Sequence, residues 1–578
     1  MRTFPSPFRV RAALVAIFLG LPGLALLHGQ DRPPPRADKA PPAWTLDEAM
    51  EQLQLAPDDP YLQYVALQLA RRDKQLDQVA GQVDWVVHRN ARGPFAGERA
   101  NTVDLFSLFT GALAVQESLQ LDAMRGGRAA RPVPPPGQKP DPAERRKQTV
   151  AVSTLVGPTV KSHPWEEMLD NARVDPGPLA RAVPDDFYLI EFRSLNKLLD
   201  AMELTDLWGT HLFNQATRDA RSQNVGDRLK AQLALETNPL LRPAYDLVVD
   251  DVAVTGSDLF LREGSDVTLL FRAKSADALK ARMDGFLDNA AKAHKDAKRT
   301  TGKCGDVEYV HLETPDRALC VYSAWPTADL HVRSNSRVAL ERILATVKGK
   351  DADGKAVGRL GDTAEFRYIR TLMPRGAKEE DGFVYLSDPF IRRLMGPMVK
   401  LTERQRMLCY NHLRMIGHAA LLYRTEHGKD PASLDDLVKA ECLPGKFNEG
   451  EFACPDGGTY ALSPDGRSGT CSRHGHATFL TPCCEVPVTK VNGLAADDYK
   501  AFLDEYNNYW RIYFDPIALR LQVTPQRYRL ETIVLPLIDN SIYTALSQAL
   551  GGAPESLDAL PVPKRNIFSM AVKLNKLE

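Results

Sequence analysis

One local pattern recurs through the middle of the chain and restricts its fold more than any other feature. Phe187-Tyr-Leu-Ile-Glu-Phe-Arg-Ser-Leu-Asn196 runs into an apolar-periodic helix beginning near Lys197. Val267-Thr-Leu-Leu-Phe-Arg-Ala-Lys-Ser275 runs into Ala276 to Phe286, and Leu330-His-Val-Arg-Ser-Asn-Ser336 into Arg337 to Val347. Each unit is a strand closing on an aromatic residue or Val followed by Arg, with Ser or Asn three residues later as the predicted helix N-cap. The side-chain oxygen of such a residue accepts from the free backbone N–H groups of the first turn, which accounts for the spacing. Phe383-Val-Tyr-Leu-Ser-Asp-Pro389 reads as a fourth copy, with Pro389 suited to a first helical turn.

Hairpin-like segments separate these units, Asp251 to Arg272 through the turn Arg262-Glu-Gly-Ser265 and Asp306 to Ser323 through Thr314-Pro-Asp-Arg317. Strands joined by hairpins with segregated helices predict an α+β fold with a mixed or antiparallel sheet. A chain of 578 residues is long enough for two to four domains. Residues 31–43 form a Pro-rich tether and residues 44–125 a helical domain, where Leu46, Met50 and Leu53, then Leu105, Leu108, Leu113 and Leu119, recur at helical spacing. A second Pro-rich linker is expected over 126–165 and the α+β domain with its repeats over 166–400. A Cys-rich module over 401–490 is followed by a resumed α+β segment over 491–578. In that last segment Phe568 to Lys576 matches the start of the repeated unit where the sequence stops, which suggests a truncated chain.

Arg2, Arg9 and Arg11 precede an apolar run from Ala12 to Leu27, shorter than the roughly 20 residues of a membrane helix, and polar residues follow at once. Residues 1–30 therefore read as a secretory signal peptide, and the remainder as secreted or periplasmic, held to a membrane only if that segment is not removed. An oxidising compartment makes the eight cysteines disulfide candidates first. Lys plus Arg, 73, nearly cancels Asp plus Glu, 74, and no basic stripe with interleaved aromatics stands out, which argues against nucleic acid as a partner.

The stretch from Cys409 to Gly475 carries a second signal. Cys409, Leu413, Ile416, Ala420 and Tyr423 share one helix face, His427-Gly428 ends that helix, and Pro431-Ala-Ser-Leu434 opens a short one. Cys454-Pro-Asp-Gly-Gly-Thr-Tyr460 and Cys471-Ser-Arg-His-Gly475 follow. This order resembles the globular headpiece of type IV pilins and of the major pseudopilin of type II secretion. That resemblance implies an assembly and display module without catalytic apparatus, a hairpin joining Cys454 to Cys471 in a disulfide, and Cys409 with Cys442 as a less certain second pair. Closing the Cys454–Cys471 loop would contribute about 3 kcal/mol in the chain-entropy picture. Lys400-Leu-Thr-Glu-Arg-Gln405 stands where pilins carry their continuous apolar helix, so fibre assembly through that helix is not expected. Asp185 to Met398, with Ala253-Val-Thr-Gly-Ser-Asp258 and Leu261-Arg-Glu-Gly-Ser-Asp266, resembles a family of bacterial secreted proteins defined only as a domain of unknown function, and implies no activity.

The expected role is thus non-enzymatic, in envelope or surface assembly, with other envelope or surface proteins as partners and no cofactor. Two alternatives stay open. Cys454, Cys471, His474 and His476 form a Cys/His cluster of the kind zinc prefers, although Cys-x16-Cys-x2-His-x-His lacks a paired-cysteine first arm. Tyr506, Tyr509, Trp510, Tyr513 and Phe514 could stack on a sugar or peptide, but at helical spacing such a stripe is core first. The adjacent carboxylates Asp185-Asp186 and Asp250-Asp251 point to opposite faces of a strand and make no natural catalytic pair. No His-Glu-x-x-His, Gly-x-Ser-x-Gly or phosphate-loop pattern is present.

Overall fold

A computed structural model describes residues 45–55, 60–73, 75, 79, 82–83, 142–204, 225–261, 263–445, 447–509, 513–514, 516–524 and 528–533. The signal segment, the tether, Leu105 to Leu119 of the helical domain, Trp510 and the Phe568 to Lys576 strand lie outside these residues. The chain divides into two units, 26–108 and a second containing 109–578. In the first, helices Leu46–Leu55 and Pro60–Arg72 pack through Ala49, Leu53, Leu62, Ala66 and Ala70. Thr45 and Glu48 cap each other reciprocally at the start of the first helix, satisfying two otherwise orphaned N–H groups.

The larger unit is organised by a ten-stranded sheet in which every neighbouring pair is antiparallel. Across the sheet the order is Tyr528–Ile533, Ile517–Val523, Gly382–Leu386, Tyr188–Phe192, Val249–Gly256, Thr268–Ala273, Leu330–Ser334, Cys320–Ala324, Val307–Glu313 and Lys298–Cys304. The α+β reading holds, and the sheet is antiparallel rather than mixed. The period of two sends Tyr188, Ile190 and Phe192 to one face and Phe187 and Leu189 to the other, and both faces are buried. Helices Leu195–Leu204, Ala276–Ala293 and Gly493–Tyr509 cover the first face, and Arg337–Lys348 with Ala364–Leu372 cover the second.

All four strand-to-helix units form. Ser336 and Ser387 accept from the N–H of Ala339 (3.3 Å) and Phe390 (3.1 Å), as N-caps should. Two caps depart from expectation. In the first unit Ser194 accepts from Lys197 N–H while Asn196 lies within the helix and donates to Asp246, and Ser275 makes no side-chain cap bond.

The Pro-rich linker also ends sooner than its composition suggests. Helix Pro142–Lys147 is followed by Thr149–Ala151, which pairs with Lys490–Asn492, and Val152, Val160 and Trp165 are buried. Proline is dense only up to Pro142, with Pro158 and Pro164 isolated beyond it, and the later residues carry apolar surface that gains by leaving water. Arg145, paired with Asp497, fixes this segment to the Gly493–Tyr509 helix.

The Cys-rich module is carried by one helix, Pro397–His427. It starts at Pro397, about three turns before Cys409. Its first turns bury Val399 and Leu401 in the sheet core, while Cys409, Leu413, Ile416 and Ala420 belong to a separate core with Leu437 and Tyr460. Gly428, at φ 69°, ends the helix in the left-handed region, and Ser433 with Asp436 forms a capping box on Leu434–Lys439. Tyr460–Leu462, Gly469–Cys471 and Gly475–His476 make a three-stranded antiparallel sheet. Among the described residues no helix is long and apolar enough to cross a membrane.

Candidate metal centre

Three separate pieces of backbone meet beneath the Pro397–His427 helix. Cys409 comes from its buried face, Cys454 from the loop after the turn Gly450–Phe452, and Cys471 from the end of its strand, with His474 in the tight turn that follows. The four donor atoms all lie within 4.8 Å of one another and all four residues are buried. The Cys454 and Cys471 sulfurs are 3.7 Å apart, and His474 Nδ1 is 3.4 Å and 3.8 Å from them. A tetrahedral zinc ion with Zn–S of about 2.3 Å and Zn–N of about 2.0–2.1 Å needs S···S edges near ~3.8 Å and S···N edges near ~3.5 Å. The observed separations match those edges.

The structure contains no Cys454–Cys471 bond. A separation of 3.7 Å is far beyond an S–S bond of about 2.05 Å, and all eight cysteines are free thiols. The hairpin does bring Cys454 to Cys471, but Cys409 and His474 converge on the same point, giving four donors around a centre in place of a two-atom bond. Cys409 is therefore not paired with Cys442, whose thiol donates to its own turn at Ala440 O, 3.6 Å away. His476 is not part of the cluster. It pairs in register with Thr470, one residue from Cys471 and hence on the other face of the strand, and its Nδ1 accepts from Thr478 N–H at 3.0 Å.

The surroundings favour thiolate at Cys454 and Cys471. Hydrogen bonds from the Cys409 and Cys454 thiols, aided by backbone N–H groups of His474 and Arg473, pull Cys471 down to about 3, whereas Cys409, which holds the proton, is pushed far up. Gly458 leaves the room this needs, since a Cβ there would come within 2.6 Å of Cys471 Sγ. His474 Nε2, on the far side of its ring, is buried 3.8 Å from Asp456 Oδ2, and Arg473 Nε donates to that same oxygen at 2.9 Å. Tyr460 OH and His412 Nδ1, 2.9 Å apart, close one side.

The other candidates disperse. Tyr506 is fully buried against Phe502 in the sheet core and offers no stacking surface. Asp186 is held between Arg342 and Arg393, and Asp251 is buried against Arg375 at 2.8 Å, so the acidic doublets are structural ion pairs. Asp465 accepts from Ser463 and from Arg467 N–H, as a turn residue does. Cys483 lies 2.9 Å from Arg406 Nη1, and Cys484 lies 3.5 Å from Ser336 Oγ. A second grouping, His311, Glu313 and Cys320, has Arg317 3.5 Å from Glu313, a cation that already balances that carboxylate. Cys409 as a ligand was missed in the sequence because it lies 45 residues before Cys454 on a helix. The Cys471-x2-His474 arm was the legible half of the site.

No protein-family model matches this chain, and no curated protein or solved structure does so either.

Proposed function

We propose that this is a non-enzymatic, extracytoplasmic scaffold protein whose Cys-rich display module is held in shape by one zinc ion on Cys409, Cys454, Cys471 and His474. The observation that carries the reading is the convergence of those four buried donors within 4.8 Å, with the Cys454, Cys471 and His474 separations at the edge lengths of a zinc tetrahedron. All four positions around the ion come from the protein and all are buried, which leaves no open site for water or substrate; that is the arrangement of a structural zinc and not of a hydrolytic one. The ion would join the long helix to the small sheet and to the loop before it, which carry Cys471 and Cys454.

The scaffold role rests on how the module is mounted. Its helix is continuous into the sheet core, and buried Arg406 donates to Glu403 (2.6 Å) and to the carbonyl of Gly264 in the sheet domain. Leu480 N–H donates back to Glu263 O at 2.9 Å. The module is thus presented rigidly, as the pilin-like resemblance implies for a surface that partners contact.

The test is elemental analysis of the full chain purified without chelator, combined with non-reducing peptide mapping. One zinc per chain, with Cys409, Cys454 and Cys471 resisting alkylation until a chelator is added, is the expected result. A linked Cys454–Cys471 peptide with no metal would restore the disulfide and remove the zinc.

A further inference from the structure

A cavity of about 330 Å³ lies between the first face of the sheet and the helices covering it, lined by Leu198, Leu233, Val254, Leu269, Met283 and Phe286 among others. An apolar cavity of about 150 Å³ already stays dry and takes up an apolar guest, so one twice that size, lined this way, calls for an occupant. At about 30 Å³ per methylene-sized group it accommodates roughly ten of them, the greater part of one alkyl chain and not two. A sugar, peptide or nucleotide would leave its polar groups unpaired against this lining.

Two features of the rim specify the ligand further. Of the polar side chains at the cavity, Lys230 is paired with Asp227 at 3.3 Å, Glu236 accepts from Asn289, and the Tyr245 hydroxyl is bound to Asn238. Arg282 is different. It is exposed, stacks 4.4 Å over Phe286, and has no carboxylate partner among the described residues. Leu241 also lines the cavity and is 42% exposed, and Leu240 and Leu247, one and six residues from it in the chain, are 88% and 73% exposed. Large apolar side chains left in water, close along the chain to a cavity-lining residue, are consistent with entry of something apolar.

We propose that this cavity binds one long-chain fatty acid, with the alkyl chain between sheet and helices and the carboxylate on Arg282. This stands independently of the zinc reading.

Full-length protein, stripped of lipid on a hydrophobic resin, is titrated with the fluorescent fatty acid cis-parinarate. The expected result is saturable binding of one per chain, displaced by palmitate about tenfold more effectively than by hexadecanol. Arg282→Gln, a change at an exposed position, should erase that preference, and Met283→Trp, which takes up part of the cavity, should weaken binding at least about tenfold with the circular dichroism spectrum unchanged. Absence of saturable binding overturns the proposal. Equal displacement by palmitate and hexadecanol, or an Arg282→Gln variant indistinguishable from the parent, overturns the assignment of the carboxylate and with it the ligand class. Should Met283→Trp fail to fold, Arg282→Gln alone decides.

Discussion

His474 Nε2 points at Asp456 Oδ2 across 3.8 Å while Nδ1 of the same ring faces the sulfurs of Cys454 and Cys471. A carboxylate behind a histidine ligand fixes the tautomer, keeping the proton on Nε2 and the lone pair of Nδ1 free for the metal. Asp456→Asn should lower zinc affinity by about 10- to 100-fold without removing a ligand. Competition against a chromophoric chelator measures it, and unchanged affinity would mean that Arg473 alone occupies Asp456.

His474 and His476 are two residues apart and buried alike, yet only one belongs to the cluster. His474→Ala should therefore release zinc, whereas His476→Ala should retain one ion per chain by elemental analysis. Loss of zinc from both variants to the same degree would make the register-based division between the two faces irrelevant.

Arg370 is fully buried between Glu191 (3.2 Å) and Glu380 (2.7 Å), with its guanidinium 3.6 Å from the Phe383 ring centroid. Replacing it with Met leaves two carboxylates in the core with their main counter-charge gone, at a cost of about 3–5 kcal/mol. The thermal transition of the sheet domain should fall accordingly, and adding Glu380→Gln should recover part of the loss. A small effect of Arg370→Met would show that Arg375, 3.5 Å from Glu191, suffices.

Glu365 supplies a pH signature. Burial pushes its carboxyl up to about 7, against the partial relief of donors from Tyr385 OH and Asp388 N–H. The folded state thus keeps a proton that the unfolded state has already released between about pH 4.5 and 7, so this group's contribution to stability falls as pH rises through that window. Gln mimics the protonated acid and its amide oxygen can accept both bonds. Glu365→Gln should match the parent at pH 4 and exceed it at pH 8 by about 3 kcal/mol in unfolding free energy from denaturant titration. A constant difference across that range would mean the carboxyl titrates normally.

The repeated strand-to-helix unit was legible because its signals are local. Alternation, a closing Arg and a capping Ser all fall within ten residues, and the same local rules announced the Gly428 stop and a short helix after Pro431, whose cap the structure places on Ser433. Caps were less secure than strands: Ser194 and Asn196 are both competent N-cap residues, Asp246, some 50 residues away, accepts from the side chains of both, and the helix begins at Leu195 with Ser194 accepting from Lys197 N–H.

The sequence by itself determined the α+β class, the four repeated units, and the presence of a Cys/His-rich module on an amphipathic helix, since each follows from periodicity and turn chemistry close along the chain. Only the tertiary structure decided which side chains share a point in space. It set Cys409 against Cys454, Cys471 and His474, sent His476 to the opposite face, and opened the cavity beside Arg282. Those outcomes depend on strand register and on helices packed from distant segments, and in both cases a shift of one residue or one turn exchanges the side chains that meet.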